Sequence, residues 1–418
     1  MFKNISYRLI IVFLLAFIAW LTFIPQPLQS KYSLQVKYAL FIFLLLSIYR
    51  HKFNVKEYFF NKSDLFFWIY LALISVNIWF AEDKTLAWNF YRDLSLSAIP
   101  IYFLYKNEIN NKNIRQLLYG LCLCGLVISL FGHIEMLLKK NFIYEYFVDN
   151  FFYQRFIKEG RMMSTLIHPN ILGSYLVACV PIAYYFYRKA QSLRMRALNL
   201  SLFLLVLSAL FLTYSRGTYL AFLLMLSIWA FLKKKHGWIL LIWGGFIIFS
   251  IISTSAFADA SLGKRFGIEH LFNYLRYSHR TMQYSITANM LKAHPFVGIG
   301  LNHYRMLFNQ YSGKIRLSHE VMIPDSIYLM HLAETGLIGF TGLVLFLIHI
   351  VKKAAGSYKK MAGDNKDMFF ALILGFTGLL INMATFDGFL WWTPFYLFWA
   401  LAGATAGCQN NTMPRTEQ

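Results

Sequence analysis

Twelve separate apolar runs, each close to the roughly 20 residues a bilayer demands of a spanning helix, constrain what this chain can fold into. They cover approximately residues 7–24, 34–49, 65–80, 88–105, 115–134, 171–187, 196–213, 217–232, 237–254, 327–351, 367–384 and 387–405. Hydrocarbon offers no water to backbone N–H and C=O groups, so each run must close its hydrogen bonds within itself. The expected fold class is an all-α polytopic membrane protein with about twelve transmembrane helices, residues 1–418 forming one integral membrane domain. Composition agrees, with 58% hydrophobic and 14% charged residues against about 25% charged in soluble domains.

The basic excess, 40 Lys and Arg against 19 Asp and Glu, would suit nucleic acid, but its placement points elsewhere. Alternate connections ("MFKNISYR", "RHKFNVKEYFFNKSD", "KNEINNKNIR", "RKAQSLRMR", "KKKH", "KKAAGSYKKMAGDNKD" and the tail) hold 22 of the 40. The short loops between them hold only Lys31, Lys84 and Arg216. The positive-inside rule then puts both termini in the cytoplasm, and no nucleic-acid partner is expected. The first run looks like a signal peptide, yet "FIPQPLQSK" after it has no small-residue cleavage site, so it reads as uncleaved. Cys122, Cys124, Cys179 and Cys408 show no metal or redox spacing, and no disulfide is expected. The absence of a phosphate-binding glycine loop and of HExxH argues against ATP-driven transport and zinc proteolysis.

Two long segments, 135–170 and 255–326, fall on the outer side. The second is too long for a simple connection and reads as functional. Within it "RTMQYSITANMLKA" (280–293) has apolar residues at helical spacing and reads as an amphipathic helix. "HPFVGIG" follows, with Pro295, Gly298 and Gly300 supplying a turn.

Ionisable residues gather at the outer ends of the runs. Arg216 sits in "LTYSRGTYLA", flanked by Tyr214 and Ser215, where Gly217 permits a tight turn. An arginine at a helix centre costs roughly 2.5–3.5 kcal/mol on insertion scales. At the interface it either snorkels into the headgroups or binds an anion, since a planar five-donor fork suits phosphate. Arg280 opens the amphipathic helix beside His279, and "LIHPNILG" brings His168 and Asn170 to the mouth of the sixth run. Asp325 and Ser326 begin the tenth run as helix caps, or Asp325 accepts a proton from an acceptor hydroxyl. His331 and Glu334, three apart on one helix face, read as a mutually satisfied pair. Arg92 and Asp93 lie near the outer end of the fourth run. Asp387 in "TFDGFLWW" adds a carboxylate among interfacial aromatics.

In order and spacing, "STLIHPNILGSYL", "LTYSRGTYLAF", an arginine about 65 residues on, "AHPFVGIGLNHY" and "PDSIYLMHLAETGLIGF" resemble the O-antigen ligase and O-antigen polymerase superfamily. The resemblance covers about residues 160–345. It implies a glycosyltransferase of the bacterial inner membrane with its active site facing the periplasm. Undecaprenyl-diphosphate-linked glycan would be the donor. Lipid A-core (for a ligase) or a growing glycan (for a polymerase) would be the acceptor. It also implies no cofactor, no metal and inversion at the anomeric carbon, with Arg216 and Arg280 binding the donor diphosphate. Many ligases of this family carry His-Asn where this chain has Asp325-Ser326. Asp325 could take the histidine's place, with a different pH profile, since free Asp titrates near 3.9 and His near 6.5. His168, His294 and His303 are fallback bases. Ligase and polymerase are thus the leading readings, ahead of a protein O-oligosaccharyltransferase. A transporter would show charges near the midplane and broken helices in repeated halves.

Overall fold

The computed structural model describes residues 2–147, 151–256, 279–313 and 323–410. Much of the 255–326 segment therefore lies outside the described residues, as does the tail. A helix covers each of the twelve apolar runs: α1 (Phe2–Phe23), α2 (Ser33–Arg50), α3 (Leu65–Phe80), α4 (Lys84–Glu108), α5 (Ile114–Leu138), α6 (Pro169–Lys189), α7 (Leu193–Leu212), α8 (Arg216–Leu232), α9 (His236–Ala256), and, after two loop helices α10 (His279–Ala293) and α11 (Tyr304–Ser312), α12 (Ile327–Lys360), α13 (Gly363–Asn382) and α14 (Trp392–Asn410). Short helices such as Val55–Phe59 and Phe151–Lys158 join them. Every element among the described residues is helical. Among the described residues, seven helices are long and apolar enough to cross a membrane, and α8 and part of α9 are shorter apolar helices.

Polar caps set several helix starts, each satisfying an amide that the first turn leaves open. Asp83 accepts from Leu86 N–H at 3.0 Å, Ser192 from Met195 N–H at 3.2 Å and Ser215 from Thr218 N–H at 3.4 Å. The last run starts later than expected. Gly388–Leu390 forms a single 3₁₀ turn, and the helix begins at Trp392. Asp387 therefore stands in a connection rather than in a span.

Helix α6 packs against α7 and α13, α14 against α4, and α12 against α3. Rings from four of these helices fill the centre. Phe67 stacks on Tyr102 at 4.6 Å between centroids, and Phe346 meets Trp399 at 5.7 Å. Such pairs add about 0.5–1.5 kcal/mol each beyond their burial.

Helix α12 is not the continuous span that residues 327–351 suggest. It breaks at Gly336 (φ 62°, ψ −166°), a conformation that L side chains rarely adopt. The "HPFVGIG" stretch docks into the break, so it does more than end α10. Ile299 and Gly300 donate to the carbonyls of Ala333 and Glu334, and Leu337 and Ile338 donate to those of Pro295 and Phe296, all at 2.9–3.0 Å. Asn77 on α3 clamps the junction, accepting from Leu301 N–H at 2.6 Å and donating to Glu334 O at 2.7 Å. Backbone groups freed by a break must find partners elsewhere in the protein, and this insertion supplies them.

Candidate functional site

The turn into α8 differs locally from the expected one. The left-handed residue is Tyr214 (φ 46°), while Gly217 is helical and buried. Gly217 matters for contact instead: a Cβ there would collide with the Thr385 side chain. Arg216, the first residue of α8, is thus held beside the connection between α13 and α14. Arg216 is the first residue of that helix, and a helix N-terminus, with its open N–H groups and dipole, favours an anion.

That connection, residues 383–391, gathers the site. Ile327 N–H donates to Met383 O at 3.1 Å, fixing the start of α12, and Asn382 donates to the Thr218 hydroxyl at 3.1 Å, fixing the start of α8. Arg280 on α10 then bridges two elements, with Nε 3.2 Å from Asp325 Oδ2 and Nη2 2.9 Å from Thr385 O. Its side chain is 17% exposed and that of Asp325 45%, so the pair opens to one side. Gln283, one turn along α10, accepts from Asp325 N–H at 3.1 Å and donates to Ile323 O at 2.7 Å. Ser326, not Asp325, caps α12, accepting from Leu329 N–H at 3.4 Å, which leaves the Asp325 carboxylate to Arg280.

Asp387 adds a second carboxylate. Trp391 Nε1 donates to its Oδ1 at 3.3 Å. Burial, and after it the negative charge of Asp325, pushes its carboxyl up to about 7, against the opposing pull of the Trp391 hydrogen bond and of Arg280. His168 lies against the same connection, with its ring 6.0 Å from Phe386 in a stacked arrangement and 5.9 Å from Trp391. Its Nδ1 accepts from Asn170 N–H at 3.1 Å, so that nitrogen caps α6.

A third arginine, missed in the sequence, supports the turn into α8. Arg161 is buried, with Nε donating to Thr213 O at 3.1 Å and Nη2 3.5 Å from Asn170 Oδ1. It ties the stretch before α6 to the residues just before Arg216. The only signal for it was a lone arginine ahead of "MMSTLIHPN".

Other candidates stand apart. His294 is exposed at the far end of α10, with Nε2 3.1 Å from the Tyr311 hydroxyl. At 1.5 Å per residue it is about 20 Å from Arg280 along that helix. His303 is buried between Leu301 O (2.8 Å from Nδ1) and Asp83 N–H (3.0 Å from Nε2). Arg92 contacts Asp93 at 3.7 Å, and Asp93 also meets Lys37 at 3.1 Å. The expected His331–Glu334 pair is not formed. Glu334 accepts from Tyr304 N–H at 3.1 Å, and His331 Nε2 is buried with no hydrogen-bond partner among the described residues. The break at Gly336 hands the Glu334 carboxylate to the inserted segment instead.

Arg280, Asp325 and Asp387 thus gather around one connection, and Arg216 begins the helix whose Gly217 packs against Thr385 of that connection. Residues 201–344, about a third of the chain, match the family model described as O-Antigen ligase, which supports a relation to the O-antigen ligase and polymerase superfamily. The matched segment contains Arg216, Arg280 and Asp325 but ends before the 383–391 connection. No curated protein matches the chain.

Proposed function

We propose that the protein is an O-antigen ligase-type glycosyltransferase that moves a glycan from undecaprenyl diphosphate to an acceptor hydroxyl, that of lipid A-core, at the periplasmic face of the bacterial inner membrane. The observation that carries this reading is Arg280 spanning Asp325 and the Thr385 carbonyl, with Gly217, the residue after Arg216, packed against the Thr385 side chain. As the acceptor oxygen bonds to the anomeric carbon, the bond from that carbon to the diphosphate oxygen breaks. The electron pair and its charge pass to the diphosphate. Two fixed guanidiniums and a helix N-terminus stabilise that charge more in the transition state than in the ground state. The acceptor proton goes to a carboxylate of this group, Asp325 or Asp387. One displacement inverts the anomeric carbon and calls for no divalent cation. In this scheme Tyr214, Ser215, His168, Asn170 and Ser326 shape the walls rather than react.

One observation favours a second reading, a polymerase that extends lipid-linked glycan: Asp325-Ser326 stands where many ligases carry His-Asn. Reconstituted protein, given donor with and without lipid A-core, separates the two. A single shift of lipid A-core, seen only when it is added, supports the ligase. A ladder of lipid-linked products without it supports the polymerase. No product from either mixture overturns both.

A further inference from the structure

At the other end of the helices that present Arg216 and His168, a groove of about 850 Å³ opens between α6, α8, α9 and α13. Its bottom is apolar, built from residues such as Phe222, Met225, Leu226 and Leu374. Its rim is basic, with Arg188, Lys189, Lys233 and Lys235. Lys189 is neutralised by Asp364 at 3.2 Å and Asp367 at 2.7 Å. Among the described residues no carboxylate lies within ion-pair distance of Arg188, Lys233 or Lys235. Aromatic faces position two of them, with Lys233 4.5 Å above Phe370 and Lys235 5.8 Å from the Trp229 ring. Trp229 and Trp238 meet edge to face at 6.4 Å between these lysines and the apolar floor.

We propose that this groove binds a glycerophospholipid with an anionic headgroup, its acyl chain against Phe222 and Leu226 and its phosphate at Lys233, Lys235 and Arg188. The volume falls in the range of dedicated small-molecule sites, about 300–1,000 Å³. Paired tryptophans belong at the level where headgroups meet hydrocarbon. Basic pockets between spanning helices are where anionic lipid headgroups dock. A role as topology signal accounts for the lysines but not for the cavity beneath them or for the rings that orient them. The basic rim at Lys233 lies about 25 Å from Arg216 along α8 at 1.5 Å per residue, so the headgroup contacts proposed here are separate from the transfer chemistry.

The test is native mass spectrometry of the full chain in detergent, titrated with dioleoylphosphatidylglycerol or dioleoylphosphatidylcholine. Selective retention of the phosphatidylglycerol is expected. Lys233→Gln/Lys235→Gln should weaken that retention by about fivefold per cation removed. Lys359→Gln/Lys360→Gln, which removes the same charge from the end of α12 outside the groove, should leave it unchanged. Leu226→Trp, which fills the floor without altering charge, should also displace the lipid. Equal retention of both lipids, or equal losses from the two lysine pairs, would overturn the site. Glycerol phosphate competing as well as the whole lipid would overturn the acyl part of it.

Discussion

Arg280 and Asp325, 45 residues apart in sequence, meet with Nε 3.2 Å from Oδ2, and the same guanidinium donates to Thr385 O at 2.9 Å. One side chain thus links a loop helix to the start of α12 and to the α13–α14 connection. The arrangement fixes the fork while leaving the Asp325 face open, which is what a preorganised anion site needs.

Removing either arginine should therefore be costly. Arg216→Ala and Arg280→Ala are each expected to lower turnover by about 10²–10³, the range for losing one charge-stabilising donor, with membrane insertion unchanged. Arg280→Lys keeps the charge but cannot serve two acceptors as a planar fork, and it should recover only part of the rate. Steady-state transfer on reconstituted variants, with expression compared in membranes, is the check.

Asp387 gives the activity a defined pH dependence. Its carboxyl is raised to about 7, so the deprotonated, proton-accepting form predominates only above that pH. Activity should rise as pH increases through about 7, and Asp387→Asn should remove that rise rather than merely lower the rate. Stability runs the other way. A carboxyl raised from 3.8 in the folded state holds more protons folded than unfolded between those pH values. Its contribution is full below pH 3.8 and is lost as pH climbs toward 7. A profile unchanged in Asp387→Asn would exclude Asp387 from the proton path.

Gly217 and Gly336 test the framework. Gly217→Val places a branched side chain where Thr385 sits, so activity should fall sharply while the apolar runs still insert. Gly336→Ala strains a left-handed position and crowds the Phe296 carbonyl. A cost of about 1–3 kcal/mol is expected from the backbone alone, read as a lower melting temperature in detergent. Wild-type melting would mean that the 295–301 insertion contributes little.

His294→Ala is the matched control. The imidazole is exposed and pairs with Tyr311 at the far end of α10, so turnover should stay within about twofold, as for surface changes away from special features. A large loss would bring that end of α10 into the chemistry.

The sequence reading and the structure agree on a helix over every apolar run and on a helix over 280–293, because spacing and length alone specify them. Arg216, Arg280 and Asp325 stand out in the sequence as candidates, since ionisable groups beside apolar runs are conspicuous. The meeting of Arg280 with Thr385 was not, because it joins residues 105 apart across segments with no shared periodicity. Arg161 was passed over for the same reason, its partners Thr213 and Asn170 being set by tertiary packing. The break in α12 was hidden because glycine is common in membrane helices, and only the docked segment makes Gly336 different. That docking also explains why a spacing-based pairing of His331 with Glu334 failed.

The most direct test of the central claim is release of undecaprenyl diphosphate from a lipid-linked glycan donor by the purified, reconstituted chain, alongside Arg216→Ala and Arg280→Ala. Acceptor-dependent release by the wild type, lost in both variants and unaffected by EDTA, is the predicted result. Release at the wild-type rate by either arginine variant would contradict the account.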